Sequence, residues 1–464
     1  MLSDDQSWNG LSVAMHPEIA GSRGSSYHTP NLERLASEGM RFSAGYEPAP
    51  VCSPTRISLQ TGRSPAALHW TKAAPAELGH KFLEPRLIKS ISGEETTIGE
   101  LLRGAGYATA HYGKWHLSGG GPGKHGYDEH DGDTGNEQAF AFKDPNPVDI
   151  FGMAERAEKF MEKSRKEGKT FFIQLSWNAL HASENAMRAT LTKYEQELSG
   201  QNSKQIAVAA ITENLDTGVG KVLDAIEKLG LRKTTYVIYM SDNGSGGGKK
   251  VLRGGKGGVW EGGIRVPLII RGPGVAANSW CHVPVVGYDL YPTFCEWGRV
   301  PRTKLPKVLE GGSITELLAH DGKGAVVRSR PGILFHFPHY QGADGPQSAW
   351  IEGDLKLMKM YEDERVELYD LSQDPGERRD LSEERKEDAV RMKRDLDRAL
   401  ASVDAQMPIP NPDYDPSVEP SRKRGGGQGG AKPGGKRPPG GEGGRGGRKK
   451  GMQGEKRENG GGAE

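Results

Sequence analysis

The chain has 464 residues, with 62 Lys and Arg against 61 Asp and Glu for a net charge of +1, and 34% of its residues are hydrophobic. That length supplies one large or two ordinary domains with a sizeable core, while three cysteines, Cys52, Cys281 and Cys295, exclude a disulfide framework and leave a Cys281–Cys295 pair open. No apolar run approaches the ~20 residues of a membrane-spanning helix, and polar residues from Ser3 onward leave no export signal in the sequence.

In chain order, Met1 and Leu2 precede Ser3 and the pair Asp4-Asp5. Thr29 and Pro30 predict the cap and first turn of a short helix that Gly39 ends. Residues 40–44 predict a strand. The segment Val51-Cys52-Ser53-Pro54-Thr55-Arg56 follows and runs to Thr61-Gly62. Pro54 suits a first helical turn and Gly62 a left-handed cap. Cys52 is therefore expected just before a helix N-terminus, where free N–H groups and the dipole favour an anion, with the always-charged fork of Arg56 inside the helix. A small buried cysteine at an ordinary helix start explains that segment alone equally well.

Residues 96–103 predict a second short helix closed by Gly104, and residues 107–112 a strand that delivers Lys114 and His116. Residues 119–126 read as a loop, 154–166 as an amphipathic helix, and 170–177 as a buried strand ending near His181. Apolar residues recur at helical spacing through 205–229 until Gly230. Residues 235–241 predict a buried strand ending in Asp242-Asn243-Gly244; a Gly-rich loop with Lys256 and a strand at 266–270 follow. Alternating strands and helices predict an α/β fold, a mostly parallel central sheet flanked by helices, over residues 1–330. Sites in such sheets gather beyond the carboxyl ends of strands, where Lys114, His116, His181, Asp242 and Asn243 fall. Past residue 330 a hairpin at 348–359, a further strand at 366–369 and a charged helix at 380–403 predict a small α+β subdomain, residues 331–406, with an antiparallel sheet. Residues 407–464 are Pro-, Gly- and Lys/Arg-rich and are expected to be disordered. Within them, 421–464 hold 12 Lys and Arg against 4 Asp and Glu, a net of +8; with +1 for the whole chain, the rest carries −7.

Asp4, Asp5, Asp242 and Asn243 offer only hard oxygen donors, which suits Ca2+ or Mg2+ rather than Zn2+. Separately, a solvated acidic pair and a plain turn explain the two halves. Five motifs then stand in one order: Cys52-Ser53-Pro54-Thr55-Arg56 with Thr61-Gly62; Gly113-Lys114-Trp115-His116; Ser241-Asp242-Asn243-Gly244; Glu261-Gly262-Gly263-Ile264-Arg265-Val266-Pro267; and Glu367-Leu368-Tyr369-Asp370-Leu371 with Asp374-Pro375-Gly376-Glu377. On these, residues 4 to 385 resemble the type I, formylglycine-dependent sulfatases of the alkaline phosphatase superfamily.

The resemblance implies a sulfuric ester hydrolase acting on a sulfated carbohydrate. Cys52 would be oxidised by a formylglycine-generating maturation enzyme to 3-oxoalanine, whose hydrate attacks sulfur through one hydroxyl and expels sulfate when the second loses a proton. It implies Ca2+, with Mg2+ as the lesser choice, at Asp4, Asp5, Cys52, Asp242 and Asn243. Arg56 and Lys114 would brace the diol and the sulfate, His116 would take the proton, and His181 and Lys256 would hold the sulfate and protonate the leaving oxygen. His69, His80, His125, His336 and His339 are unranked candidates for the substrate pocket. A periplasmic or secreted location follows from the resemblance.

Two departures stand out. The family flanks the second histidine with prolines, whereas His181 lies in Asn178-Ala179-Leu180-His181-Ala182-Ser183. The family also has an apolar strand before the aspartate pair, which is missing here; a start lying upstream of Met1 would account for it. Alternative functions are a phosphonate monoester or phosphodiester hydrolase with the same nucleophile, and a non-catalytic sulfoglycan-binding protein. The basic tail either solubilises the chain or contacts polyanions.

Overall fold

The computed structural model describes residues 1–140, 143–182, 184–245, 251–341, 345–418 and 420. Its main sheet has eight strands in the spatial order Ser279–Cys281, Met40–Phe42, Leu268–Arg271, Val237–Ser241, Leu2–Ser3, Phe171–Ser176, Ala108–Gly113, Glu129–His130. Leu268–Arg271 pairs antiparallel with both neighbours, and every other pairing is parallel. This is the mostly parallel α/β sheet expected from the alternation of elements.

Two residues form the central strand. Leu2 lies opposite Ser176 on one side and Met240 on the other, and Ser3 opposite Ser241. The expected apolar strand before the aspartates is thus reduced to Leu2–Ser3. Both flanking strands run on past it, around an apolar pocket of about 340 Å3 lined by Met1, Phe171, Ile173, Val237, Ile238 and Trp297. The Met1 amine donates to the Ile238 carbonyl at 2.8 Å, and burial lowers its pKa to about 5. The register has a functional consequence: Asp4-Asp5, Lys114 and Asp242-Asn243 all leave the carboxyl ends of strands at one level of the sheet.

Helices Ile150–Lys166, Ser203–Lys228 and Pro30–Ser37 cover one face, with Ala157, Phe160 and Met161 packed against the Leu215, Val219 and Leu223 stripe. The long helix opens on a capping box between Asn202 and Gln205. Thr29 does not cap Pro30–Ser37; its hydroxyl instead meets Ser12 at 2.7 Å. The free N–H groups of Asn31 and Leu32 donate to Asp216 of the long helix at 3.0 and 2.8 Å, a long-range partner that local reading misses. The 96–103 helix is observed as Ile98–Gly104 with Thr97 and Glu100 forming its capping box, so Gly104 lies inside it rather than beyond.

The C-terminal sheet has four antiparallel strands, Ile333–Phe337, Gln347–Glu352, Leu355–Met360 and Val366–Asp370; the sequence reading lacked the first. Helix Lys386–Ser402 buries Met392, Leu396 and Leu400 against Trp350, Leu357 and Leu368. On the other face, Phe335 and Tyr369 share a core with Tyr46, Val51 and Trp260. Lys356, fully buried, bridges Glu261 at 2.9 Å and Glu377 at 2.7 Å and so ties this sheet to the Gly-rich segment. Part of the stretch expected to be disordered is ordered: Ile409–Pro410 pairs antiparallel with Phe82–Leu83. Residues 421–464 lie outside the described residues.

Candidate metal centre and anion site

One ligand atom each of Asp4, Asp5, Asp242 and Cys52 lies within 4.8 Å of the others. Backbone pairing sets this geometry. Asp4 N donates to Ala179 O at 2.8 Å and Leu180 N to Asp4 O at 2.8 Å, while Asp242 N donates to Ser3 O at 3.0 Å. Asp5 takes a left-handed backbone, φ 58°, which turns its side chain out of line with Asp4. Cys52 is the first residue of helix Cys52–Thr61, all ten of whose residues are buried and which ends on Gly62 at φ 70°. The left-handed cap stands as the sequence predicts, while the helix begins at Cys52 itself, capped by Val51, rather than just after it.

Three cations meet three carboxylates. Arg56 donates from Nε and Nη2 to Asp242 Oδ2 at 3.0 and 2.7 Å, and from Nη1 to Lys114 O at 2.7 Å. Lys114 Nζ lies 2.5 Å from Asp4 Oδ2. Lys256 Nζ lies 2.5 and 2.8 Å from the two Asp5 oxygens and 3.4 Å from Cys52 Sγ. Burial alone would raise the Asp4 pKa, but Lys114 and Arg56 outweigh it and hold the carboxyl far below its ordinary range. Asp242 is pushed up by burial and by Asp4, against Arg56. The Cys52 thiol is pushed up to about 12 by burial, Asp242 and Asp4. Burial works against the charge on Lys256, yet Cys52 and Asp5 raise its pKa well above the ordinary value.

His116 follows Lys114 with a left-handed backbone, φ 58°, and its N–H donates to Thr134 O at 2.7 Å. Burial, with Lys114 and Arg56 adding, lowers its pKa to about 2, so the ring is neutral at physiological pH. His181 N donates to Asn178 O at 2.9 Å, and its ring lies close enough for its charge to act on Asp4 and His116. The Nδ1 atoms of both histidines are buried without a hydrogen-bond partner.

Asn243 Nδ2 donates to Asp5 Oδ1 at 2.8 Å, which leaves its Oδ1 buried and without a hydrogen-bond partner. An orphaned amide oxygen beside three carboxylates is a donor set of hard oxygens, and it fits a Ca2+-class ion. All ten residues singled out from the sequence therefore converge on one place.

The five unranked histidines do not join that cluster in any described contact. His125 and His336 are buried, His69 contacts Asp404 O, and His80 stacks on Tyr340 at 3.7 Å. His339 is buried between Thr71, at 2.6 Å, and Glu84, at 2.8 Å, and Lys72 reaches the same Glu84 at 3.0 Å. Glu47 is a residue the sequence reading missed. It is fully buried, both oxygens without a hydrogen-bond partner, and burial and Asp242 push its pKa well up against Arg56. Its one sequence signal is a lone acid in the otherwise uncharged run Gly45–Val51.

A family model described as Sulfatase matches residues 1–300, and one described as N-sulphoglucosamine sulphohydrolase, C-terminal, matches residues 255–406. The chain belongs to the sulfatase family. Mouse N-acetylgalactosamine-6-sulfatase is 30% identical over 332 residues, 63% of this chain and 60% of that protein, so the match spans about three-fifths of the relative. Human arylsulfatase A is 26% identical over 449 residues, 82% of each chain. Among solved structures, Ps i-CgsB with a neocarrahexaose superposes with a TM-score of 0.72 at 23% identity, covering 89% of this chain and 93% of that one. PsFucS1 sulfatase from Pseudoalteromonas sp. superposes at 0.67 and 21%, covering 87% and 89%. These confirm the alkaline phosphatase-like fold of a sulfatase.

Proposed function

We infer that this sulfatase-family chain hydrolyses sulfate esters of carbohydrates, with residue 52 as formylglycine and a bound divalent cation. The observation that carries the reading is the meeting of Cys52 with Asp4, Asp5 and Asp242 within 4.8 Å, ringed by Arg56, Lys114 and Lys256. An unmodified thiol is a poor fit to the role, since only the thiolate is a strong nucleophile and this site pushes the Cys52 pKa up to about 12. Maturation supplies instead a hydrated aldehyde with two hydroxyls on one carbon. Asp4, Asp5, Asp242, Asn243 and residue 52 would hold the ion, Ca2+ before Mg2+, which polarises a sulfate oxygen and acidifies a bound hydroxyl.

The charge count supports an anionic substrate. Arg56, Lys114 and Lys256 offset Asp4, Asp5 and Asp242 one for one. A divalent ion then leaves two positive charges, matched by one sulfate monoester and one ionised hydroxyl. Arg56 and Lys114 orient the nucleophile and the sulfate oxygens. His116, neutral because of its buried cationic surroundings, accepts the proton of the second hydroxyl. Lys256 and His181 hold the sulfate and protonate the leaving oxygen. The two named sequence relatives are called an N-acetylgalactosamine-6-sulfatase and an arylsulfatase, which supports the sulfate ester and favours a sugar through the first. The reading includes a maturation enzyme as partner and an extracytoplasmic location. Among the described residues no helix is long and apolar enough to cross a membrane.

The test is co-expression with a formylglycine-generating enzyme, followed by rates on 4-nitrophenyl sulfate, a phenyl phosphonate ester and defined sulfated sugars. Sulfate turnover that Cys52→Ala abolishes is expected. Phosphonate faster by orders of magnitude would favour the related phosphonate hydrolases, and sulfate turnover surviving Cys52→Ala would refute the nucleophile.

A further inference from the structure

Arg56 sits on a helix and Lys114 follows a strand, whereas Lys256 stands on a glycine-rich turn, residues 253–258. Its ammonium nevertheless meets Asp5 at 2.5 and 2.8 Å and lies 3.4 Å from Cys52 Sγ. The turn rests on the short helix Glu261–Ile264, backbone against backbone. A Cβ on Gly262 would lie 2.5 Å from Arg253 O and 2.8 Å from Gly254 O, and one on Gly263 would overlap Gly258 O and lie 2.5 Å from Gly255 O. Neither glycine takes a left-handed backbone, so what they supply is close approach rather than conformation. The Gly262 N–H donates to Arg253 O at 2.7 Å. On its other side the turn is tied to the segment of the nucleophile, since the Gly257 N–H donates at 2.9 Å to the carbonyl of Pro50, two residues before Cys52.

The helix is anchored by its first residue. Glu261 is fully buried, and its N–H donates to Glu377 Oε2 at 2.8 Å. Its carboxylate accepts from Lys356 Nζ at 2.9 Å, Tyr46 OH at 3.0 Å and Arg265 Nη1 at 3.2 Å. The C-terminal sheet also grips both ends of the turn. The Val259 N–H donates to Gln347 Oε1 at 2.9 Å, and Arg253, 3.5 Å over the Trp260 ring, donates to Tyr369 OH at 2.8 Å.

We propose that Glu261, Gly262 and Gly263 are positioning residues for Lys256, held in place by the C-terminal sheet, and that they set where its ammonium meets a sulfate ester. The proposal rests on the sulfate-ester reading. A displaced Lys256 costs most where the leaving group is most basic, because a stable phenolate departs without a proton and a basic one does not.

Glu261→Gln and Gly263→Ala test it in the matured protein. The first keeps the shape of Glu261 and removes the charge that Lys356 and Arg265 hold; the second adds one methyl against the turn. Asp216→Ala, on the helical face of the main sheet, controls for lost stability alone. Rates on 4-nitrophenyl and phenyl sulfate are compared, and each variant is repeated with Lys256→Ala. Both variants should lose about tenfold or more in kcat/KM on phenyl sulfate and under about threefold on 4-nitrophenyl sulfate, with little further loss once Lys256 is gone. Asp216→Ala should leave both rates unchanged. Equal losses on the two esters, losses that multiply with Lys256→Ala, or the same pattern in Asp216→Ala would each overturn the positioning role.

The Kd for inorganic sulfate, from calorimetry, needs no turnover. Lys256→Ala should weaken it, and Glu261→Gln and Gly263→Ala should weaken it without adding to Lys256→Ala. Native sulfate affinity in both variants would overturn the proposal. A native protein that follows this binding pattern yet cleaves neither ester would refute the reaction and leave the positioning of Lys256 standing.

Discussion

Replacing Arg56 by Met removes one buried charge from a set of six and leaves the side-chain volume nearly unchanged. Arg56 is 1% exposed, and its guanidinium makes two hydrogen bonds to Asp242 Oδ2 and one to the Lys114 carbonyl. Without it Asp242 keeps a single described donor, the Asp5 N–H at 3.2 Å, and remains fully buried. Removing one partner of a buried pair costs about 3–5 kcal/mol, roughly a fifth or more of the ~5–15 kcal/mol that holds a typical domain together. Urea unfolding in metal-free buffer measures the loss. Adding Asp242→Asn to the variant should then cost less than it does in the native background, with a coupling of about 1.5–3 kcal/mol. A loss under ~1 kcal/mol for Arg56→Met, or additivity within ~0.5 kcal/mol, would refute the view that this pair is a desolvated element of the site.

Ca2+ at a hundred times its Kd should stabilise the chain by about 2.7 kcal/mol, and Asp5→Asn should weaken that effect, both read by scanning calorimetry with and without chelator; an unchanged transition would exclude a folded-state ion. Glu377 gives a pH signature: burial raises its pKa from 4.5 to about 7, with Lys356 opposing and Glu261 adding. The native state thus holds a proton that the unfolded chain has released, and stability from this group is lost as pH rises from 4.5 to about 7. Glu377→Gln should remove that slope, and parallel stability curves for the two proteins would contradict it. Asp216→Ala should cost about 2 kcal/mol by stripping the partners of the Asn31 and Leu32 N–H groups, and a loss under ~0.5 kcal/mol would show water taking over that end of the helix.

The site was legible because its chemistry needs particular residue types at strand ends. Taken singly, Cys52 before Pro54 and Gly62, the Asp4-Asp5 pair and the Asp242-Asn243 turn each have a plain structural explanation; five motifs in one order, and the resemblance they carry, brought them together as a nucleophile and an ion site. The central strand was not legible. Leu2–Ser3 has no periodicity, and its place follows from the register of Phe171–Ser176 and Val237–Ser241. The Ile333–Phe337 strand was missed for a related reason: all five of its residues are buried, so no alternation marks it. Thr29 has the right side chain for a cap, but the Asp216 carboxylate, 185 residues beyond Asn31, outcompetes it. Glu261 and Glu377 stand in motifs of the sequence, but nothing there pairs them with Lys356; only the packing of the Gly-rich segment on the C-terminal sheet buries the three together. The ladder of Ile409–Pro410 on Phe82–Leu83 was hidden by a composition that otherwise signals disorder.

The central claim is that residue 52 works as an aldehyde beside an ion held by Asp4, Asp5, Asp242 and Asn243. Mass spectrometry of the peptide bearing residue 52, taken from a preparation whose sulfatase rate is measured in parallel, tests it most directly. The account predicts that activity rises in proportion to the fraction of peptide with an aldehyde in place of CH2SH. Full activity from a preparation in which that peptide carries only the intact thiol would contradict it.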